Sequence, residues 1–139
     1  MSKLRIACIQ TNSSPNPEEN IAIVSVLIRE ACAAGAEFIT TPEVVGMLEP
    51  DRIAALSKAQ SEEKHQVLSA FQELALELGI WLLIGSISIK VSDTKLSNRS
   101  FLINPNGEVI ARYSKIHMFD VKVGDGHQYL ESKTYEPGS

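Results

Sequence analysis

Short apolar runs alternate with longer amphipathic stretches along the chain. Residues 4–10 are largely apolar, which predicts a first strand that is buried on both faces, as a covered sheet requires. Asn16 and Pro17 predict the cap and first turn of a helix, and Glu19 is placed to close a capping box with Asn16. Gly35 is the predicted end of that helix.

The same alternation continues through the middle of the chain. Residues 38–41 predict a second strand that ends at Pro42, because proline cannot donate to a strand ladder. Residues 51–59 predict a short helix. Ser61 is expected to cap a longer helix, whose apolar stripe lies within residues 67–78.

The last predicted strands follow this helix. Residues 80–89 predict an almost wholly apolar third strand, and residues 90–97 a polar connection. Residues 99–113 predict a hairpin that turns at residues 104–107, since Asn-Gly tolerates positive φ. Residues 114–139 are mostly loop by composition. The order β-α-β-α-α-β-β-β predicts an α/β layered fold, in which ligands usually bind at the carboxyl ends of strands.

The composition narrows the class of protein. The 139 residues are enough for one domain, and the net charge of −4 argues against general binding to nucleic acid or to an anionic membrane. Two cysteines do not make a disulfide scaffold. The apolar run at residues 6–9 is too short for a signal peptide or a bilayer span. We therefore expect a cytoplasmic protein in a reducing compartment.

Two charged residues stand where chemistry is expected. Glu43 comes directly after the second predicted strand, between proline and valine, where partial desolvation would make the carboxylate a stronger base. The alternative is a solvated loop glutamate. Lys115 precedes apolar residues that would hold its ammonium where it can stabilise an oxyanion. The alternative there is an edge lysine that reaches water.

The histidines and cysteines favour structural roles. The chain has no HxH, HExxH or CxxC pattern, so no metal site is predicted. His117 is expected to be a structural, hydrogen-bonding residue, and His65 and His127 are expected at the surface. Cys8 and Cys32 lack a neighbouring cation that would stabilise a thiolate, which predicts that both are packing residues.

The motifs are far more specific in their order along the chain than any residue is alone. The matching segments are residues 6–10, Asn20, residues 35–39, Pro42-Glu43, Asn98, Asn106-Gly107, Tyr113-x-Lys115-x-His117-x-Phe119, residues 124–126, Glu131-Ser132 and Pro137-Gly138. On these segments the chain resembles the nitrilase, or carbon–nitrogen hydrolase, superfamily, and within it the omega-amidase-like branch.

The resemblance implies a fold, an activity and a set of roles. The fold is a four-layer αββα sandwich, of which residues 1–139 would be the N-terminal part. The activity is hydrolysis of a small-molecule amide by a Glu-Lys-Cys triad, with no metal or other cofactor, and a homo-oligomer is implied. Glu43 matches the general base and Lys115 the residue that stabilises the tetrahedral intermediate. Glu131 matches the second glutamate, which positions the substrate or the lysine.

The chain departs from the family's pattern at three residues near the site motifs and at the nucleophile. Thr41, Ser114 and Met118 replace residues that are common there, which bears on substrate preference or local packing. The family's nucleophilic cysteine lies beyond the Pro-Gly segment, and neither Cys8 nor Cys32 matches its motif. We therefore expect the chain to be inactive on its own.

Two other interpretations stay open. One is a non-catalytic remnant that associates with itself or with a full-length relative, because a missing half would leave apolar strands exposed. The other is a ligand-binding α/β module in which Glu43 and Lys115 form only a structural ion pair. For the intact enzyme the resemblance favours dicarboxylic monoamides, with other amides and carbamoyl compounds as alternatives.

Overall fold

The computed structural model describes residues 3–124, 126 and 128–139. The helices are α1 (Pro17–Ala33), α2 (Arg52–Lys58) and α3 (Gln66–Leu78), and 3₁₀ turns cover Glu62–Lys64 and Glu131–Lys133. The strands are β1 (Ile6–Cys8), β2 (Phe38–Thr40), β3 (Trp81–Lys90), β4 (Leu96–Ile103), β5 (Val109–Ser114), β6 (Asp120–Lys122) and β7 (Gln128–Leu130).

Five strands form one mixed sheet in the order β1-β2-β3-β4-β5. Strands β1, β2 and β3 are parallel to one another, with helices in the connections, whereas β4 pairs antiparallel with both β3 and β5. The predicted α/β class and the element order through β5 are confirmed. The prediction that residues 114–139 are mostly loop is confirmed for the described residues, but composition missed β6 and β7, which pair within this segment as a second, two-stranded sheet.

The core lies between one face of the main sheet and the helices α1 and α3. Apolar residues at helical spacing on both helices meet alternate residues of the strands. Phe71, Ile28, Ile39, Leu82 and Phe101 are fully buried in this cluster. Each such side chain contributes roughly 1.5–3 kcal/mol by leaving water, so this one layer supplies most of the apolar stabilisation.

The capping predicted for α1 is confirmed only in part. Oδ1 of Asn16 accepts hydrogen bonds from the main-chain N–H groups of Glu18 and Glu19, at 3.0 and 3.4 Å, as predicted for the cap. The predicted capping box between Asn16 and Glu19 does not form. The Glu19 carboxylate instead accepts a hydrogen bond from the hydroxyl of Ser14, and Oγ of Ser14 accepts one from the N–H of Asn16. Gly35, at φ +88°, follows the helix as predicted.

The start of α3 differs from the prediction. Ser61 precedes a 3₁₀ turn and makes no capping side-chain hydrogen bond, so α3 begins only at Gln66. His65 lies between this turn and α3 and is buried, and its ring hydrogen-bonds the carbonyl of Ser88 at 3.1 Å. The expectation that His65 is a surface residue is therefore wrong. Burial lowers the pKa of His65, and the Ser88 carbonyl and the charge of Glu62 offset only part of that effect.

The other face of the main sheet is open near β1. Ile6, Phe38 and Trp81 are register partners across β1, β2 and β3, and Ile6 is 57% and Trp81 36% exposed. Cys8 is also exposed. The predictions of a fully covered β1 and of a packed Cys8 are therefore wrong for this chain, whereas Cys32 packs partly buried against the core. None of the helices within the described residues is long and apolar enough to cross a membrane.

Candidate active site

Glu43 lies in a tight connection after β2 that is fastened to β3. The N–H of Gly85 donates to Oγ1 of Thr41 at 3.1 Å, and the N–H of Ser86 donates to the carbonyl of Pro42 at 3.3 Å. Oγ of Ser86 in turn accepts from the N–H of Val44 at 2.9 Å. These bonds fix the main chain on both sides of Glu43.

The residue after Glu43 carries backbone strain. Val44 has φ +55°, and among the described residues it is the one non-glycine residue with positive φ. A β-branched residue pays a steric penalty there, so the surrounding hydrogen bonds must over-determine the conformation. Such strain is typical of functional sites and supports a local role for Glu43.

Lys115 follows β5 and is held by its main chain on both sides. Its N–H donates to the carbonyl of Asn98 at 2.8 Å, and its own carbonyl accepts from the N–H of Gly138 at 2.8 Å. Its ammonium Nζ lies 2.9 Å from Oε1 of Glu43 and 2.9 Å from Oε2 of Glu131. The structure thus brings together all three residues that the sequence singled out.

Glu131 is positioned by the small sheet. It follows β7 directly and opens a 3₁₀ turn. Its Oε2 accepts from the N–H of Phe119 at 2.6 Å as well as from Lys115, and its Oε1 accepts from Nδ2 of Asn98 at 3.2 Å. The same Nδ2 donates to Oε1 of Glu43 at 2.8 Å. Lysine and asparagine donors therefore link the two carboxylates.

The cluster keeps opposite charges in place at neutral pH. Burial alone would lower the pKa of Lys115, but the hydrogen bonds and charges of Glu43 and Glu131 outweigh it and the pKa is raised. Burial alone would raise the pKa of Glu131, but the donors from Lys115, Phe119 and Asn98 outweigh it and the pKa is lowered. An ammonium and an ionised carboxylate are thus both favoured.

An open cleft of about 590 Å³ borders the cluster. Glu43, Lys115 and Glu131 line one part, and Arg52, Tyr129 and Tyr135 are among its other lining residues. Neither of the two cysteines, both of which are described, lines this cleft. No grouping of three or more histidine, cysteine or acidic side chains suited to a metal ion occurs within the described residues.

The local environments differ from what the sequence predicted. The Glu43 side chain is 57% exposed, so it is not desolvated between proline and valine in this chain. Lys115 is 26% exposed and is held by carboxylates, while Ile116 and Phe119 lie exposed and form no closed apolar pocket around it. His117 is exposed as well. His127, expected at the surface, lies outside the described residues.

Two residues near the cluster carried no functional prediction. Asn98 was notable only as part of the family pattern, although its buried amide contacts both glutamates. The Tyr135 hydroxyl lies 2.7 Å from Oγ of Ser88, which pairs with Asn98 across β3 and β4. An uncharged amide within a strand gives no signal of its own in a single sequence, and only the fold places it between two carboxylates.

Several known proteins are similar to this chain. Deaminated glutathione amidase from Yersinia enterocolitica is 31% identical and covers 99% of the chain, which spans 49% of that relative. Human omega-amidase gives 31% identity, with 99% of the chain and 49% of the relative covered. The chain thus spans about half the length of these curated relatives.

Solved structures show the same fold. The Caenorhabditis elegans NitFhit protein superposes with a TM-score of 0.84 at 23% identity, over 96% of this chain and 33% of that one. An amidase from Nesterenkonia sp. gives 0.80 at 23% identity, over 98% and 48%. The predicted resemblance to the nitrilase superfamily, with omega-amidases among the relatives, is confirmed. The carbon-nitrogen hydrolase family model matches residues 5–139, and the chain belongs to that family.

Proposed function

We propose that this chain supplies the base and the oxyanion-stabilising cation of an enzyme that hydrolyses a small-molecule amide. The observation that carries the proposal is one ammonium, that of Lys115, held at 2.9 Å from each of two glutamates beside a cleft. Membership of the carbon–nitrogen hydrolase family and the amidase relatives support the same reaction class.

The proposed reaction proceeds through a thioester. Glu43 accepts the proton of a cysteine thiol, and the thiolate attacks the amide carbonyl carbon. Lys115 stabilises the charge that develops on the carbonyl oxygen. The C–N bond breaks as Glu43 returns the proton to the nitrogen, and ammonia leaves. Glu43 then takes a proton from a water whose oxygen attacks the thioester carbonyl carbon, the C–S bond breaks to release the carboxylic acid, and Glu43 returns the proton to the thiolate. Glu131 holds Lys115 in place throughout.

The nucleophile of this scheme is not one of the two cysteines of the chain. Cys8 lies on the edge strand β1 and Cys32 on α1, and neither borders the cleft. The related amidase from Nesterenkonia sp. AN1 has been captured with an acetamide moiety covalently added at its active-site cysteine. We propose that residues 1–139 alone release no ammonia, because the covalent step has no nucleophile.

The substrate proposal follows the relatives. Their names specify amides, so a small amide is the proposed substrate, with a dicarboxylic monoamide as the preferred candidate. Two free cysteines, one of them exposed, suit a reducing compartment such as the cytoplasm. A homo-oligomer is proposed for the intact enzyme.

The test joins residues 1–139 to the part of the Yersinia enterocolitica relative that they do not cover. Ammonia release from small ω-amides is then measured for residues 1–139 alone and for the joined protein. We expect release only from the joined protein, and loss of that release in Glu43→Gln and Lys115→Met. Glu63→Gln and Lys122→Met, at exposed positions outside the cleft lining, are the matched controls. Turnover by residues 1–139 alone, or unchanged turnover in both site variants, contradicts the proposal and favours a structural ion pair.

A non-catalytic binding role is the second candidate. On the open sheet face, Ile6 of β1 and Trp81 of β3 lie on either side of Phe38 of β2, and both are exposed. An exposed apolar face of this kind favours association with another protein. In this case the chain binds itself or a full-length relative. Sedimentation of the purified chain decides: a dimer or larger species supports association, and a monomer that unfolds cooperatively argues against it.

A further inference from the structure

Asn98 occupies the centre of the charged cluster. It is buried on β4, 3% exposed, and its main-chain carbonyl accepts the N–H of Lys115 at 2.8 Å. Its side-chain Nδ2 donates to Oε1 of Glu43 at 2.8 Å and to Oε1 of Glu131 at 3.2 Å. One residue thus touches all three charged residues.

The chemistry of the amide group assigns its orientation. Ionised carboxylates are acceptors only, so both must face the NH₂ end of Asn98 and not its carbonyl oxygen. The NH₂ group has two hydrogens, and the two glutamates use both. An aspartate at this position would present acceptors to acceptors and add a third negative charge.

Only one of the two carboxylate oxygens of Glu43 accepts hydrogen bonds from the described residues. Asn98 and Lys115 both donate to Oε1. Among the described residues, no group donates to Oε2 of Glu43. This oxygen belongs to an exposed side chain that lines the cleft, so it is the one available to take a proton.

We propose that Asn98 is a positioning residue: its amide holds Glu43 and Glu131 on either side of Lys115 and turns one oxygen of Glu43 towards the cleft. The proposal deepens the amide hydrolysis proposed above and rests on it for its functional meaning. The titratable groups around this amide are Glu43, Glu131, Lys115 and, through Ser88, Tyr135.

The test is a pH titration of the 139-residue chain followed by NMR. In the unmodified chain the two Nδ2 proton signals of Asn98 are expected to shift at the midpoint at which the Glu131 carboxyl carbon titrates. In Asn98→Ala that midpoint moves upward, because a donor to the carboxylate is lost, and in Asn98→Asp it moves further upward. Ser97→Ala, a buried change on the same strand that touches neither glutamate, leaves the midpoint in place.

Two outcomes overturn the role of Asn98. One is a pair of Nδ2 signals that ignores the carboxyl titration, which is decided in the unmodified chain even if a variant fails to fold. The other is an Asn98→Ala chain that folds and keeps the Glu131 midpoint. Either result leaves the proposed hydrolysis untouched. Unchanged ammonia release in both Glu43→Gln and Lys115→Met versions of the folded joined protein overturns the hydrolysis and leaves the titration unchanged.

Discussion

The close approach of two main-chain segments at Gly85 is what places Glu43. A Cβ added to Gly85 would lie 2.5 Å from the carbonyl carbon and oxygen of Pro42, and nearer still to the carbonyl oxygen of Thr41. These are main-chain atoms, so the Gly85→Ala change cannot be absorbed by a side-chain rotation. The segment before Glu43 must move by roughly 1 Å to restore ordinary contact distances.

That movement breaks the hydrogen bonds that cross the gap. The bonds at risk are Gly85 N–H to Thr41 Oγ1, Ser86 N–H to the Pro42 carbonyl and Val44 N–H to Ser86 Oγ. Each contributes about 0.5–1.5 kcal/mol net, and the lower entropy of the unfolded alanine chain returns about 0.4–1 kcal/mol. The expected loss of unfolding free energy is about 2–3 kcal/mol.

Urea unfolding measures this loss, with the fluorescence of Trp81 or the circular dichroism of the chain as the signal. A slope of about 2 kcal/mol per molar urea converts the expected loss into a midpoint lower by roughly 1–1.5 M. Gly124→Ala is the matched control, because its Cβ would meet no atom within 4 Å, and its midpoint should stay with the unmodified chain. A Gly85→Ala midpoint equal to that of the control would show that the main chain around Gly85 has room for a methyl group and does not fix Glu43.

Three further predictions concern the core and the titrating groups. Phe71→Ala should cost about 3–5 kcal/mol in urea unfolding, whereas Leu76→Ala, at a 59% exposed side chain, should cost less than about 1 kcal/mol. Because burial lowers the pKa of His65 in the folded protein, its contribution to stability should be fully present above pH 6.5 and should decline as pH falls from 6.5 to the folded pKa. His65→Gln should flatten this decline in thermal melts, and an unchanged decline in His65→Gln would contradict the prediction. The pKa of Glu131 is also lowered in the folded protein, so its contribution to stability is complete above the ordinary pKa of a glutamate and is lost as pH falls through the folded pKa. Thermal melts of Glu131→Gln should therefore show a smaller loss of stability at acid pH. An unaltered loss in this variant would contradict the prediction.

Local patterns predicted the main sheet well. The hydrophobic period, the Asn16 cap and the Asn-Gly turn are short-range features, and they located α1, β3 and the β4–β5 hairpin. The connection after β3 is shorter than predicted, since β4 already starts at Leu96. Polar residues there pair with β3 in the ladder, and composition alone assigns such residues to a loop.

The site could be predicted only as separate residues. Glu43 and Lys115 stand in motifs, but their contact joins positions far apart in the chain. Glu131 reaches Lys115 because β6 and β7 pair, and these strands have three residues each, too short for a periodic pattern. The burial of His65 depends on a 3₁₀ turn that the capping pattern at Ser61 did not reveal. The contacts of Lys115 with both glutamates depend on long-range strand pairing, and the burial of His65 depends on a local turn, so neither could be predicted from sequence patterns.

The role of Lys115 as the oxyanion-stabilising cation is tested by the rate of ammonia release from the joined protein when Lys115 is changed to methionine. Removal of one oxyanion-stabilising donor lowers turnover by about 10²–10³-fold, and Lys115 also holds both glutamates, so we predict a loss of at least that size. Lys122→Met should stay close to the unmodified rate. A Lys115→Met protein that folds and releases ammonia at the rate of Lys122→Met would show that Lys115 does not stabilise the oxyanion.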